Sequence, residues 1–583
     1  MQKLKPTLRL ILTLSLFGLF AACTTTNTAN NSAASAAKTV TTDITIFSIN
    51  DFHGNLQSDQ PVPYMASKDD AAHPGIKISA PAGGYAFLTS KLNERRQAVG
   101  ASILVGAGDL IGASPMGTAL LKDEPVIEAL NRLNLSVTAI GNHEFDNGTA
   151  DLMRKIKGDC PATGCAYAGF SGARFPYLGA NVHEQGSDKP WLTPYVIRQV
   201  GDVKVGFIGA VTSDVPNLVA GDAVKHLRFE DEATAINRYV PELQKQGVAA
   251  IVVLIHEGAI YKGSENDPTY RCEGLQGPII EISKKLDKAI SLVVSGHSHQ
   301  GYTCKIDGRL VVQGRSYGSF LTESTLTIDR ASNQVIKAVA VNHLIDQKVI
   351  KPDQAAQQLV DQVAAQTAGL RQRPVARLSA PLLRGSEGGA FDSALGNIIA
   401  DAQLHMGQHA GGADLSFMNA GGIRSDVPSG KPQAAVELTY GDLYAAQPFG
   451  NNIVRMKLTG AQIMTLLQQQ WLGRAVDDPK KLFVSHTMSY SWDPQAAIEQ
   501  RIRDVKIKGK PLDLNQQYSV VVNSFLADGG DGFVVLKQGQ DRELIGRDLE
   551  AFESYVREQG SRLTEVKRDR VKRISDGVSK HAK

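Results

Sequence analysis

Five short runs of mostly apolar residues constrain the fold of this 583-residue chain more than any other feature. Each run reads as a buried strand, and each is followed closely by aspartate, asparagine or histidine. The runs occupy residues 43–50, 102–105, 137–140, 249–255 and 290–294. Helical stretches separate several of them, which predicts an α/β domain, and ligands of such sheets gather at the carboxyl ends of the strands. We therefore expect the polar residues after the five runs to meet at one site, rather than to be unrelated loop residues.

The segments after these runs supply seven nitrogen and oxygen donors. They are Asp51, His53, Asp109, Asn142, His256, His297 and His299. Seven donors are more than one transition metal uses, and they suit two ions that share a carboxylate and lie roughly 3.5–4 Å apart. Imidazole combined with carboxylate favours Zn, Mn or Fe over Ca, which prefers oxygen ligands. Two such ions activate water as a nucleophile and neutralise charge on a phosphate ester under attack.

The order and spacing of these residues resemble the motif set of the calcineurin-like metallophosphoesterases. The matching segments are Asp51-Phe52-His53, Gly108-Asp109, Gly141-Asn142-His143-Glu144, His256 and Gly296-His297-Ser298-His299. More narrowly, the chain resembles the bacterial periplasmic 5′-nucleotidase/UDP-sugar hydrolase family, from about residue 43 to residue 570. This resemblance implies an α/β fold with an N-terminal four-layer metallophosphoesterase sandwich and a C-terminal α/β nucleoside-binding domain. It also implies two divalent metal ions, Zn, Mn, Co or Fe, as cofactors.

The resemblance also implies a role for each candidate residue. Carried over by position, the ligands of one ion are Asp51, His53 and His299, those of the other are Asn142, His256 and His297, and Asp109 bridges the two. Several relatives have glutamine or asparagine at the position of His299, which leaves open whether His299 binds metal directly. His143 and Asp146 resemble the catalytic pair, in which the carboxylate orients the imidazole so that it can protonate the leaving oxygen. Without the metals, the same two residues would read as a core histidine and a helix cap.

Segments in the second half of the chain resemble the substrate-binding part of the family. The implied residues are Asn419, Gly422, Arg424, Phe449, Asn451, Phe525 and Asp531. The guanidinium of Arg424 can donate two hydrogen bonds to a phosphate. Phe449 and Phe525 would stack on the two faces of the base, and Asp531 would accept hydrogen bonds from the ribose hydroxyls. Without the resemblance, two phenylalanines so far apart in the sequence would read as core residues.

One stretch departs from the family pattern. Relatives carry one or more further arginines shortly before the segment that corresponds to Leu395-Gly396-Asn397. Here Arg384 precedes that segment across a longer, glycine-rich stretch. A role in substrate binding and ordinary surface exposure are both open for Arg384.

The N-terminus reads as an export signal. Lys3, Lys5 and Arg9 precede an apolar core, and the residues that close it resemble a bacterial lipobox ending at Cys23. A lipidated Cys23 would make the protein a periplasmic or outer-membrane lipoprotein that meets the membrane only through its lipid; ordinary signal cleavage and an uncleaved anchor are the alternatives. Without those three cations the formal charge falls from +3 to 3 − 3 = 0, so no basic surface predicts nucleic-acid binding.

The other four cysteines suit disulfide bonds in an exported protein. Of the three possible connectivities, we favour Cys160 with Cys165, across a short loop, and Cys272 with Cys304. A zinc site is the rival interpretation, but these cysteines lack the CxxC spacing that supports one.

These patterns together predict the organisation and the function of the chain. The predicted segments are a signal peptide (1–22), a flexible tether (23–42), a metallophosphoesterase domain (43–345), a linker helix (346–377), a 5′-nucleotidase C-terminal substrate-binding domain (378–570) and a tail (571–583). The predicted function is an exported 5′-nucleotidase that cleaves nucleoside 5′-monophosphates through attack by a metal-bridged hydroxide. The alternatives are a UDP-sugar or dinucleotide pyrophosphatase, a 2′,3′-cyclic phosphodiesterase and a non-catalytic nucleotide-binding surface lipoprotein. A nucleotide is the one predicted binding partner, since the sequence says nothing about protein partners.

Overall fold

The computed structural model describes residues 40–58, 61–65, 75–219, 221–385, 391–428, 436–565 and 568–574. The predicted signal peptide, Cys23 and most of the predicted tether lie outside these ranges. Among the described residues, none of the helices combines the length and the apolar character that crossing a membrane requires.

The N-terminal half of the described chain consists of short strands and helices. The strands are Thr41–Ile49 (β1), Pro61–Met65 (β2), Lys77–Pro81 (β3), Ser102–Ala107 (β4), Leu135–Ala139 (β5), Tyr177–Leu178 (β6), Val182–Glu184 (β7), Tyr195–Val200 (β8), Val203–Val211 (β9), Leu227–Phe229 (β10), Ala250–His256 (β11), Ile290–Ser295 (β12), Gly301–Ile306 (β13), Arg309–Gly314 (β14), Phe320–Asp329 (β15) and Gln334–Leu344 (β16). The helices are Tyr85–Ala98 (α1), Met116–Ala119 (α2), Glu124–Arg132 (α3), Gly148–Lys157 (α4), Gly221–Val224 (α5), Glu232–Lys245 (α6), Pro278–Lys285 (α7) and Gln354–Arg371 (α8).

Two six-stranded sheets pack face to face in this half. The first has the strand order β16-β15-β1-β4-β5-β6 and the second has the order β13-β14-β12-β11-β9-β8. Apolar side chains from both sheets, such as Val105 of β4 and Val252 of β11, form the core between them. Helices α1 and α3 cover the outer face of the first sheet, and α6 and α7 cover that of the second. The predicted four-layer α/β sandwich is therefore confirmed.

The C-terminal half is a second α/β unit. Its strands are Pro374–Leu378 (β17), Leu415–Asn419 (β18), Val436–Thr439 (β19), Asn452–Thr459 (β20), Leu482–Val484 (β21), Met488–Trp492 (β22), Ile502–Ile507 (β23), Lys510–Pro511 (β24), Gln517–Asn523 (β25), Gln540–Arg547 (β26) and Val571–Arg573 (β27). Its helices are Ala394–His409 (α9), Tyr440–Ala446 (α10), Gly460–Gln469 (α11), Ile498–Arg501 (α12), Ser524–Ala527 (α13) and Asp548–Gln559 (α14). A five-stranded sheet in the order β21-β18-β25-β20-β26 is covered by α9 and α14 on one face and by α11 on the other.

Helix α8 lies inside the predicted linker, residues 346–377. Its apolar residues recur at helical spacing and are buried with α1 and α3 in the core of the N-terminal half: Ala356, Leu359, Val360 and Val363. The helix is therefore part of the N-terminal fold as well as a connection. Strand β17 follows it and pairs with β19, so the C-terminal fold begins within the predicted linker.

Residues 571–573, which we predicted to belong to the tail, form β27 and pair in parallel with β22. The preceding residue, Arg570, is buried because its guanidinium donates to both carboxylate oxygens of Asp401, at 3.0 and 2.6 Å. This ion pair neutralises the charge of Arg570, and Val571 packs in the core. The tail boundary is corrected accordingly; residues 575–583 lie outside the described ranges.

Two disulfide bonds join the four described cysteines. Cys160 bonds to Cys165, and Cys272 bonds to Cys304. This is the connectivity that the sequence favoured, and with it the rival zinc site is set aside. The second bond ties the loop before α7 to β13, the strand that follows the last histidine motif.

Candidate active site

The carboxyl ends of five strands bring the predicted donors together. Strands β1, β4 and β5 run parallel in the first sheet, and β11 and β12 run parallel in the second. Five of the donor residues adopt positive φ angles: Asp51 (49°), His53 (46°), Asp109 (50°), His297 (70°) and His299 (55°). Residues other than glycine rarely adopt this conformation, which costs on the order of 1–3 kcal/mol each. The tertiary structure therefore imposes these loop shapes, as is common at functional sites.

The donors form two groups. One contains Asp51, His53 and His299 and the other contains Asp109, His256 and His297, and within each group the donor atoms lie within 4.8 Å of one another. Oδ2 of Asp109 lies 3.6 Å from Nε2 of His53 and 2.9 Å from Nε2 of His256, so this carboxylate is next to both groups. Oδ1 of Asn142 lies 3.1 Å from Nδ1 of His297. All seven predicted donors thus meet at one place.

Backbone carbonyl groups orient two of the histidines. Nδ1 of His53 lies 2.9 Å from the carbonyl oxygen of Gly112, and Nδ1 of His256 lies 2.8 Å from that of Ala107. Because a carbonyl oxygen can only accept, Nδ1 of the neutral ring carries the proton and Nε2 keeps a free lone pair. Nε2 of His256 is buried, and its 2.9 Å contact with Oδ2 of Asp109 lacks the geometry of a hydrogen bond. A divalent cation would satisfy this nitrogen, so the residues present fit a metal centre.

The electrostatics of the two groups favour a positive charge between them. Burial alone would raise the pKa of Asp109, but His256 and His143 hold that pKa well below its ordinary value. Burial alone would lower the pKa of His256, but the carboxylates of Asp109 and Asp51 raise it to about 10. Divalent cations would supply the positive charge that these buried carboxylates require.

His143 and Asp146 form a hydrogen-bonded pair beside this centre. Nδ1 of His143 donates to Oδ2 of Asp146 at 2.9 Å, and the same oxygen accepts from the backbone N–H of Ala113 at 3.0 Å. The pairing fixes the tautomer of the ring and leaves Nε2 as its available position. Burial acts to lower the pKa of His143, but Asp146 and Asp109 outweigh it and the pKa is raised. The imidazole is therefore suited to donate a proton.

A cavity of about 200 Å³ joins this centre to the C-terminal half. The N-terminal half contributes Asp109, Asn142, His143, Asp146, Leu218, Val219, His297 and His299, and the C-terminal half contributes Asn419, Gly421, Gly422, Arg424, Phe449, Asn451, Asn523, Phe525 and Asp531. The cavity therefore contains the predicted catalytic pair and the seven substrate residues that the resemblance implied. The buried donors Asp51, His53 and His256 lie behind this surface.

Side-chain hydrogen bonds hold the C-terminal wall of the cavity. Asn419 donates to Oδ2 of Asp531 at 2.8 Å and accepts from Asn523 at 3.0 Å. On the same wall, Asn451 donates to Oδ2 of Asp548 at 3.1 Å. Burial raises the pKa of Asp531, and it raises the pKa of Asp548 to about 6. The wall thus offers a fixed set of polar groups to a ligand.

The two predicted stacking residues have different surroundings. Phe449 stacks on His143, with ring centroids 5.7 Å apart and an interplanar angle of 16°, and the guanidinium carbon of Arg424 lies 5.7 Å from its ring centroid. Phe525 lies against Gly530, where an added Cβ would come within 2.6 Å of the ring. Phe449 therefore also links His143 of the predicted catalytic pair to Arg424, a contact that the sequence did not predict.

Arg384 does not line this cavity. It is exposed, and its guanidinium donates to the carbonyl oxygens of Arg424 at 2.8 Å and Ile423 at 3.3 Å. The residue thus supports the segment that carries Arg424. Of the two roles left open by the sequence, the structure shows surface exposure.

Sequence reasoning missed two apolar residues of the cavity. Leu218 and Val219 come from the loop after β9, a central strand whose following residues the sequence pattern did not assign to the site. They follow a short 3₁₀ helix, Val215–Asn217, that packs against Gly530–Gly532 of the C-terminal half. Their position after the end of a strand was the sequence signal that could have assigned them to the site. Apolar residues at such a position are, however, interpreted as core residues.

A second cavity, of about 420 Å³, lies on the other side of Arg424, which lines both. It is bordered by Tyr317, whose ring lies 5.8 Å from that of His53, and by Arg371 of α8. The rest of its wall mixes apolar side chains, such as Met116 and Val360, and the carboxylate of Asp442 with neutral polar side chains, among them Asn55, Gln57, Ser58, Ser114, Thr118 and Ser425.

Two family models match the chain. The calcineurin-like phosphoesterase model matches residues 44–301, and the model of the 5′-nucleotidase C-terminal domain matches residues 374–538. The cell wall protein Lmo0130 of Listeria monocytogenes is 32% identical over 550 residues, which cover 89% of this chain and 67% of that protein. The chain belongs to the 5′-nucleotidase family of calcineurin-like phosphoesterases. It is therefore a metal-dependent phosphoester hydrolase that uses divalent metal ions.

Other members of the family match over most of the chain. The endonuclease YhcR of Bacillus subtilis is 29% identical over 533 residues, which cover 91% of this chain but 41% of that relative. A crystal structure of a 5′-nucleotidase precursor from Thermus thermophilus superimposes with a TM-score of 0.71 and 26% identity, covering 92% of this chain and 100% of that one. The recognition and the fold class drawn from the sequence are thereby confirmed.

Proposed function

We propose that this chain is a 5′-nucleotidase that hydrolyses nucleoside 5′-monophosphates to nucleoside and phosphate. One observation carries the proposal: a single cavity is lined by metal donors and the His143–Asp146 pair on one wall and by Arg424, Phe449 and Phe525 on the other. A nucleotide placed with its phosphate at the donors would have its base at the aromatic rings.

The seven donors would hold two divalent ions. Asp51, His53 and His299 would bind one ion, Asn142, His256 and His297 the other, and Asp109 both. When bound, such ions lower the pKa of water to produce a nucleophile and neutralise the charge of the phosphate. Zn, Mn, Co and Fe all suit this mixture of imidazole and carboxylate.

The chain's own residues would bind the phosphate and move the proton. Arg424 would donate two hydrogen bonds to the phosphate and stabilise its negative charge. His143, held through Nδ1 by Asp146, would donate the proton on Nε2 to the leaving ribose oxygen. Nδ1 would stay bonded to the carboxylate throughout, so Asp146 would keep the ring oriented and stabilise its charged form.

The C-terminal wall would select a nucleoside. Phe449 and Phe525 would stack on the base. Stacking of this kind accepts any base, because every base has a π face. Asp531, oriented by Asn419 at 2.8 Å, would accept hydrogen bonds from the ribose hydroxyls. Gly422 and Asn419 would let the chain segment that carries Arg424 approach the substrate closely. Asn451 would add a further polar group to the C-terminal wall of the cavity.

The second cavity favours a second candidate function, hydrolysis of nucleoside diphosphate esters. Arg424 lines it, and the neutral polar groups within its mixed wall could hydrogen-bond to a sugar or a second nucleoside attached beyond the phosphates. The same ions and the same histidine would then act on a phosphoanhydride bond.

The site of action is also proposed. The basic, apolar and small residues up to Cys23 are typical of a bacterial lipoprotein signal, and the similar protein Lmo0130 is named a cell wall protein. We expect a fatty-acid label to attach to the wild-type protein in cells and not to a Cys23→Ala variant. Labelling of both would refute the anchor.

An assay of residues 24–583, stripped of metal and supplied with Mn, Zn or Co in turn, tests the reaction. The products formed from AMP, UDP-glucose, NAD, a 2′,3′-cyclic nucleotide and single-stranded DNA are separated by chromatography, since of these only AMP releases inorganic phosphate in a single step. DNA is included because one relative is named an endonuclease. We expect metal-dependent release from AMP. Cleavage of UDP-glucose or NAD with AMP inert would favour the second candidate. Nucleotide binding without cleavage under any metal would refute both.

A further inference from the structure

We propose that Glu144 is a positioning residue that sets the geometry of the metal centre without binding metal. The proposal rests on the ligand assignment above and concerns a side chain to which that assignment gives no role. Glu144 is 3% exposed and belongs to neither donor group. It follows His143 directly, in the loop after β5, and its side chain turns back toward the loop after β4.

The carboxylate of Glu144 collects backbone N–H groups from both loops. Oε2 accepts from Asp109 at 2.9 Å and from Gly141 at 2.7 Å, and Oε1 accepts from Leu110 at 2.9 Å. The backbone N–H of Ile111 also donates to Oε1, at 3.5 Å. Buried N–H groups require an acceptor, and here one side chain satisfies four of them. Glu144 therefore joins the loop of the bridging Asp109 to the loop of Asn142.

The two loops approach each other closely at this point. A Cβ added at Gly141 would lie 2.2 Å from Oδ1 of Asp109 and 2.8 Å from Oε2 of Glu144. The same Oδ1 of Asp109 accepts from the backbone N–H of His143 at 2.9 Å. Functional geometry tolerates shifts of only about 0.5 Å, so the separation of these loops determines whether Asp109 and Asn142 can bind the same ion.

The two metal groups depend on Glu144 unequally. The loops held by Glu144 carry two ligands of the group that contains His256 and His297, namely Asn142 and Asp109, but only the shared Asp109 of the other group. In the other group, Asp51 is held instead by the side chain of Asn50 at 2.6 Å and by the backbone N–H of His297 at 3.0 Å. Loss of Glu144 should therefore weaken the binding of one ion much more than the binding of the other.

The variant Glu144→Gln tests this. Glutamine keeps the shape but replaces one acceptor oxygen with an NH₂ group, which then faces a backbone donor. The metal-stripped chain is titrated with Mn²⁺ by calorimetry, without substrate. We expect the wild type to bind two Mn²⁺ ions. In the variant, the Kd of one ion should stay within about threefold of its wild-type value, and the Kd of the other should rise at least about tenfold. Excess Mn²⁺ should then restore kcat.

Glu124→Gln is the matched control. Glu124 is also fully buried and accepts from the backbone N–H of Tyr167 at 2.7 Å and from Arg154 at 2.7 Å, away from the donors. We expect this variant to lose thermal stability and to keep both Mn²⁺ affinities. If Glu144→Gln does not fold, Glu144→Asp, whose shorter carboxylate can reach fewer donors, should show the same selective weakening.

Unchanged affinities in the Glu144 variants, or the same loss in the Glu124 control, would overturn the proposal. Equally weaker binding of both ions would overturn it too. The two loops carry Asn142, a ligand of one group only, as well as the shared Asp109. Since binding is measured without substrate, a wild-type chain that binds two ions but cleaves no nucleotide would count against the proposed function alone.

Discussion

The metal centre and the nucleoside wall face each other across one cavity and are built in opposite ways. At the metal centre, most donors are buried, five have left-handed backbones, and backbone carbonyl groups orient two of the four histidine rings. On the nucleoside wall, Phe449, Phe525 and Asp531 are half-buried, and other side chains hold the polar groups. The backbone therefore preorganises the chemistry, whereas side chains define recognition. Substitutions at the centre should abolish turnover, and those on the wall should weaken substrate binding.

The largest effect is expected at Asp109, the carboxylate shared by both donor groups. Asp109→Ala should lower kcat about 1,000-fold or more, because it removes several kcal/mol of charge stabilisation by the metals. Phosphate release from AMP at saturating substrate and metal gives kcat. The control is Asp202→Ala, an exposed carboxylate in the turn between β8 and β9, at the end of β9 opposite the site, which should keep full activity. A variant at Asp109 with more than a tenth of wild-type kcat would contradict a shared bridge.

The wall is tested by the two phenylalanines. Phe525→Ala should raise KM for AMP roughly 10- to 100-fold with little change in kcat, because base stacking contributes about 1–3 kcal/mol. Phe449→Ala should raise KM and also lower kcat, because its ring packs on His143. A phosphate ester without a base, such as p-nitrophenyl phosphate, serves as the control substrate. If Phe525→Ala raised KM equally for both substrates, the ring would not recognise the base.

Much of the metal centre could be predicted from the sequence because each donor directly follows its strand, and parallel strands bring their ends together. The cavity as a whole could not, because it requires the relative placement of the two halves. The contact between Phe449 and His143 joins residues from different halves and leaves no local pattern. Strand β27 was missed for a similar reason, since its burial depends on the pairing of Arg570 with the distant Asp401.

A buried carboxylate on the wall should make stability depend on pH. The pKa of Asp548 is about 6 in the folded protein and near 3.8 when unfolded, so the folded state binds more protons between these values. The contribution of this carboxyl group to the free energy of unfolding therefore falls by roughly 2–3 kcal/mol as the pH rises from about 4 to 6. Denaturant unfolding of the wild type and of Asp548→Asn measures this. The variant should gain stability relative to the wild type across that range, and a constant difference would refute the shift.

The smallest effect is expected at Leu218, one of the two apolar residues that the N-terminal half adds to the cavity. Leu218→Ala should raise KM for AMP about fivefold, since truncating a partly exposed leucine loses about 1 kcal/mol of apolar contact, and should leave kcat unchanged. Leu472→Ala, at a leucine 64% exposed on α11's C-terminal side, is the matched control and should change neither constant. Equal KM values for the two variants would remove Leu218 from the recognition surface.

The most direct test of the account is a crystal structure with Mn²⁺ and a non-hydrolysable AMP analogue, with anomalous scattering used to locate the metal. The account predicts two peaks roughly 3.5–4 Å apart with the carboxylate of Asp109 between them, the phosphate at Arg424, and the base between Phe449 and Phe525. A single peak, or a base bound away from both rings, would contradict the division between a backbone-fixed metal centre and a side-chain-defined nucleoside wall.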